Sequence, residues 1–334
     1  MTTRMTTATG HIHALPAYRA EALQVESGAN MGDVLGVLDE LMLDDSYVLQ
    51  PGAETARLAL EAHPDGRFTI AAASALGRPG AALHLDCALS LMAPAGTMAE
   101  ALVLVETDSD GMIAEVYLLP LTPLQPKEPY TLVRASREDA RKTLAQAAST
   151  SFIRGTRITL ATGAQVKVEE LKAGDRVLTR DEGAQEIHWV GRSTLRAEGT
   201  LAPVLISAGA LNNAHDLLVG PNHRLFVYQR ADEIGAGASE LLVTARDLVN
   251  GTTVTVQQGG FADYVQILFD GHHIIYAEGI AAESLLVDPV TEPALPGRLR
   301  RTTAHRRGSH GVEVSQSLLD RPDAVDALKR ASLR

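Results

Sequence analysis

The chain has 334 residues, enough for two domains of ordinary size, and 45% of them are hydrophobic, enough to fill real cores. Only 4% are aromatic, with one tryptophan and five phenylalanines, so packing must rest on Leu, Val, Ile and Ala. A formal net charge of −11 argues against general nucleic-acid binding, because a phosphate backbone would be repelled, and no run approaches the roughly 20 apolar residues that span a bilayer.

The opening Met1-Thr2-Thr3-Arg4-Met5 leads into a mixed polar segment with no apolar h-region. No Sec-type signal is expected, and the location stays open between the cytoplasm and export by another route. The single cysteine, Cys87, rules out an intrachain disulfide or a CxxC metal site. It lies in the apolar run Leu83–Leu89 and reads as a buried small hydrophobe. Strand alternation would put its neighbour Asp86 on the opposite face.

Residues 1–134 read as a β-rich N-terminal domain of unassigned role. Within it Val34, Leu35, Leu38, Leu41 and Met42 recur at helical spacing and predict a helix over 31–42. Ala101–Val105, the turn Asp108-Ser109-Asp110-Gly111 and Ile113–Leu118 predict a hairpin, with Asp-Gly supplying the positive φ of a tight turn. Prolines 120, 123, 126 and 129 then interrupt the strand pattern, since proline has no N–H for a central ladder. Ser136, followed by Glu138 and Asp139, predicts a capped helix to about Ala148, and residues 135–150 read as a helical linker.

From 151 to 288 the pattern becomes short strands separated by turns: 157–160, 176–179, 186–190, 217–219 and 264–269. That spacing predicts an all-β domain of sandwich or barrel type, so the chain as a whole is expected to be mainly β. Residues 289–334 form a basic tail carrying Arg298, Arg300, Arg301, Arg306 and Arg307, with a weak helix over 322–333.

Four segments in the second half carry the chemistry. The first is Ser151-Phe152 with Gly155-Thr156. The second is Val168-x-x-Leu171-x-x-Gly174-Asp175-x-Val177. The third is Leu217-Leu218-Val219-Gly220-Pro221-Asn222-His223-Arg224-Leu225-Phe226. The fourth is Leu268-Phe269-Asp270-Gly271-His272-His273-Ile274-Ile275-Tyr276-Ala277-Glu278-Gly279. In this order, over about 140 residues, they resemble the Hint (hedgehog/intein) module, and the whole chain resembles bacterial Hint-domain proteins with a β-rich N-terminal region.

The resemblance implies an acyl shift. The first side chain of the module attacks the preceding carbonyl, and water, a thiol or an amine then releases the upstream piece. Carried onto this chain, Ser151 is the nucleophile, Thr150–Ser151 is the scissile bond, and the protein's own N-terminal segment is the substrate. His223 matches the histidine that protonates the leaving nitrogen, a task suited to a side chain that titrates near neutrality. Asp270 and His272 match a second polar cluster that assists proton transfer or orients the bond. No cofactor or metal is implied.

Three positions depart from the family pattern. Ser151 stands where cysteine is usual, and a hydroxyl is the weaker nucleophile unless a base activates it. Gly220 replaces the usual threonine or serine, removing a hydroxyl that helps hold the scissile amide. Glu283-Ser284 stands where splicing members end in His-Asn, so no asparagine amide can cyclise. The expected output is N-terminal cleavage, slow or impaired, without splicing. The alternative is an inactive Hint scaffold with a binding or structural role. Ser151 could equally be a turn residue after the linker helix, and His223 a strand histidine satisfied by a backbone carbonyl. A metal on His272-His273 would lack an obvious third ligand. A hydrolase triad of Ser151, His223 and Asp270 has no Gly-x-Ser-x-Gly elbow to support it.

Overall fold

The computed structural model describes residues 11–297, 299, 312–314, 316–319 and 321–333. The arginines at 298, 300, 301, 306 and 307, which carry the basic reading of the tail, lie outside the described residues. The chain is mainly β, and it divides into two compact units. One comprises residues 1–148 with 288–295, the other 149–287 with 296–334.

In the N-terminal unit, strands Ala82–Met92, Phe68–Ile70, Ala56–Ala62, His11–Arg19, Ile113–Pro120 and Met98–Thr107 pair in that order, all antiparallel. The last pairs back to the first, closing a ring that leaves no free edge among these six. Strands Pro129–Ser136, Ser46–Leu49 and Leu23–Ser27 extend the sheet from Ala82–Met92. That long strand pairs on one edge first with Phe68–Ile70 and then with Pro129–Ser136, and its pairing with Met98–Thr107 on the other edge shifts register at Asp86.

This bulge corrects the strand-alternation reading of Asp86. The extra residue breaks the two-residue period, and the Asp86 carboxylate lies within hydrogen-bonding reach of the Cys87 thiol. Cys87 itself is fully buried; burial, with Asp86 beside it, pushes its thiol up to about 12, so it is an inert core residue.

The hairpin forms as expected. Asp108 Oδ1 accepts the N–H groups of Asp110 and Met112, each at 2.9 Å, and Gly111 takes a φ of +79°. The helix expected over 31–42 does not form. Gly32 adopts a φ of +96°, outside the helical region, and the chain lies along strand Leu23–Ser27 through Gly32 N–H to Val25 and Leu35 N–H to Leu23. Only one 3-10 turn, Leu38–Glu40, remains, while Met31, Val34 and Met42 are exposed. The helix Arg137–Ala148 is present, with Ser136 Oγ accepting the Asp139 N–H at 3.3 Å. It packs on strand Ala82–Met92 and buries Ala140, Leu144 and Ala145, so it belongs to the N-terminal unit and not to a free linker.

The second unit is built of short strands in two sheets that share one apolar core. One sheet runs Trp189–Arg196, Phe261–Leu268, Phe152–Ile153, Leu217–Val219, Val204–Ile206, Val254–Val256. The strand expected over 186–190 is divided: Gly183–Glu186 ends, and Trp189–Arg196 begins in the other sheet. Between them Ile187 exchanges backbone bonds with Gly174 and Asp175, and His188 N–H reaches Leu268. The tail also joins this unit: helix Ala324–Leu333 buries Ala327, Leu328 and Ala331.

Candidate active site

Ser151 precedes the two-residue strand Phe152–Ile153, which sits inside its sheet between Leu217–Val219 and Phe261–Leu268. Phe152 is apolar enough to be locked there, so the backbone of Ser151 is fixed at the end of a buried strand. The next strand, Leu217–Val219, ends in the turn Gly220-Pro221-Asn222-His223, closed by the His223 N–H on the Gly220 carbonyl at 3.0 Å. This turn carries Gly220 and His223 back to Ser151.

Both of them hold the same atom. The Ser151 carbonyl oxygen accepts the Gly220 N–H at 2.8 Å and lies 2.9 Å from His223 Nδ1. The imidazole packs against Phe152 with ring centroids 4.4 Å apart. Burial drives its pKa from 6.5 down to about 4, against the upward pull of the Ser151 carbonyl and of Glu283. The ring is therefore neutral at pH 7. A carbonyl only accepts and the neutral ring carries one proton, so that proton is assigned to Nδ1, 2.9 Å from the Ser151 carbonyl, while the buried Nε2 is left to face the Glu283 backbone.

Gly220 has a steric role as well. A Cβ at this position would meet Ser151 Oγ at 2.7 Å, closer than a carbon and a hydroxyl can approach. The missing side chain thus leaves room for the serine hydroxyl.

The strand Ile280–Glu283 brings the Glu283-Ser284 pair to the same place. Thr150 Oγ1 donates to the Ser284 carbonyl at 3.3 Å, and Ser284 exchanges bonds with His273 through its N–H (2.9 Å) and its Oγ (3.0 Å). Glu283, 1% exposed, takes the Arg224 Nε at 2.5 Å and has His272 Nε2 3.6 Å away. Ser151, His223, Glu283, Ser284 and His272 are buried and, with the half-buried Thr150, form one polar cluster.

Asp270 is not part of it. Its side chain is 92% exposed and pairs with His188 Nδ1 at 3.0 Å, so the expected place of Asp270 beside the nucleophile is corrected. Asp270 lies at an exposed bend, and the buried carboxylate near His223 is Glu283. In the family pattern Glu283 is only the residue that stands where splicing members have histidine. Its signal was a lone charge in the apolar run Ile280–Val287, which requires a buried partner. The neighbouring histidines also diverge: His273 Nδ1 lies 3.8 Å from Glu182, whereas His272 faces Glu283.

Residues 150–289 match the family model of the Hint domain, and the chain is a Hint-domain protein over that stretch. Among solved structures it is similar to the Ssp DnaB mini-intein variant M86, at 12% identity and a TM-score of 0.29, covering 42% of this chain and 97% of that one. No curated protein matches the chain. No helix among the described residues is long and apolar enough to cross a membrane.

Proposed function

We propose that the Hint domain cleaves its own chain at Thr150–Ser151. Ser151 Oγ attacks the Thr150 carbonyl carbon, a C–O bond forms, and the C–N bond to Ser151 breaks. The proton lost by Oγ ends on the freed nitrogen of Ser151, leaving residues 1–150 as an ester on residue 151. Water, a thiol or an amine then takes the acyl group. The observation that carries this reading is the double grip of Gly220 and His223 on the Ser151 carbonyl, which fixes the nucleophilic residue beside a neutral imidazole.

In the resting site the Nδ1 proton of His223 is spent on that carbonyl. Delivering it to the Ser151 nitrogen requires a shift between two atoms of one residue, which fits a slow reaction. Glu283 orients Arg224 and His272 around the site. With Glu283-Ser284 at the end of the module, no asparagine is present to cut the C-terminal bond, so splicing is not expected. Residues 288–295 belong to the N-terminal unit, so the two pieces remain associated until denatured.

The same observation also favours a second reading, an inactive scaffold, because His223 turns its donor to the carbonyl and not to the hydroxyl. Hydroxylamine separates the two. Cleavage leaves a hydroxamate on Thr150 and two masses, residues 1–150 and 151–334, that co-elute under native conditions. A single intact mass after prolonged hydroxylamine treatment supports the scaffold.

A further inference from the structure

The N-terminal unit holds a group of three side chains that the processing reaction does not use. His11 and His13 are two residues apart on strand His11–Arg19, so strand alternation places their rings on one face. The ring centroids lie 4.6 Å apart with the planes at 77°. Asp288, from the segment 288–295 of the same unit, turns Oδ2 to His13 Nε2 at 2.7 Å. One ligand atom from each of the three lies within 4.8 Å of the others.

The carboxylate is fixed in a way that suits a ligand. Its Oδ1 accepts the N–H groups of Val290 and Thr291 at 2.9 Å each and the Thr291 hydroxyl at 3.2 Å. One oxygen is thus held by outer donors while the other is presented to the histidines, as in ligating carboxylates. His13 and Asp288 are 7% and 9% exposed. Burial opposes ionisation of Asp288, but His13 and the two N–H groups more than offset it and hold the carboxyl below its ordinary range.

We propose that His11, His13 and Asp288 form a binding site for a divalent transition-metal ion of the zinc class. Zinc bonds of about 2.0–2.1 Å in a tetrahedron put ligand atoms about 3.4 Å apart. The present separations, from 2.7 Å to at most 4.8 Å, span that value, so small side-chain rotations complete the site. Two imidazoles and one carboxylate select zinc, cobalt or nickel over calcium and magnesium, which take oxygen ligands. With three protein ligands the fourth position is left for water or another small donor. The ion would join residues upstream of Thr150 to a residue downstream of Ser151.

The test uses untagged full-length protein, stripped with EDTA and titrated with Co²⁺, and it is independent of cleavage. One equivalent is expected to bind with the visible absorption of a four-coordinate ion and to be displaced by Zn²⁺. Asp288→Asn and His11→Ala are each expected to weaken binding at least tenfold. Asp288→Asn also disturbs the pair with His13 and risks the fold. His11→Ala leaves that pair in place, so lost Co²⁺ binding with an unchanged metal-free melting curve isolates the ligand role. Absence of one-equivalent uptake, or uptake that survives His11→Ala, overturns the proposal.

Discussion

Glu106 in the N-terminal unit and Glu283 in the Hint unit are both buried strand carboxylates, 2% and 1% exposed, yet their partners lead in opposite directions. Glu106 accepts the Tyr117 hydroxyl at 2.7 Å and the Arg78 Nε at 2.9 Å, and the Arg78 side chain is 62% exposed. Its network ends in solvent within one side chain. Glu283 is paired with an almost fully buried Arg224, faces His272, and acts on the neutral His223 that grips Ser151. A buried charge closed off by a surface cation is scaffold. One whose partners run inward to a buried serine and an uncharged imidazole marks where chemistry is to be sought.

The largest expected effect comes from removing the inward carboxylate. Glu283→Ala takes the carboxylate that Arg224 Nε donates to out of a buried site, and this unit is expected to lose about 3–5 kcal/mol in urea unfolding. Next is the pH dependence of His223. The unfolded imidazole takes up a proton near pH 6.5 and the folded one only near 4, so the unfolded state binds more protons in between. Stability is full above pH 6.5 and falls by about 3 kcal/mol as pH drops to 4. His223→Asn, which does not titrate, is expected to remove that part of the pH profile of unfolding.

The outward carboxylate gives the smaller loss. Glu106→Ala frees the Arg78 guanidinium to rehydrate and takes the acceptor from the Tyr117 hydroxyl and the Arg78 N–H, at about 1–3 kcal/mol, with no change in cleavage. Equal losses for Glu106→Ala and Glu283→Ala would break the comparison. Gly220→Ala is expected to alter stability least and cleavage clearly. Its Cβ forces Ser151 Oγ from its position, at about 1 kcal/mol of rotamer strain, and a rate loss of several-fold is read from a time course on a gel.

What the sequence made legible was local. Ser151 and His223 are 72 residues apart and were legible only because each sits in a short segment of turn residues and apolar runs that resembles the Hint module. The mainly β class followed from the same spacing. Pairings distant in sequence were not legible: Glu283 with Arg224 is 59 residues apart, and His13 with Asp288 is 275. The resemblance alone places Asp270 in the site, whereas its position before Gly271 leaves the side chain exposed and paired with His188. The 31–42 segment shows helical spacing, but Gly32 and the backbone bonds to Leu23 and Val25 decide its conformation. The bulge at Asp86 is likewise a tertiary event, set where one long strand changes partners.

The central claim is that the cluster around Ser151 is a processing site. Full-length protein with serine, alanine or cysteine at 151 is followed on a denaturing gel, with and without dithiothreitol. Ser151→Cys is expected to yield fragments 1–150 and 151–334 faster than the serine chain, with dithiothreitol accelerating it, and Ser151→Ala to stay whole. Intact chain in all three, the cysteine variant included, would contradict the account.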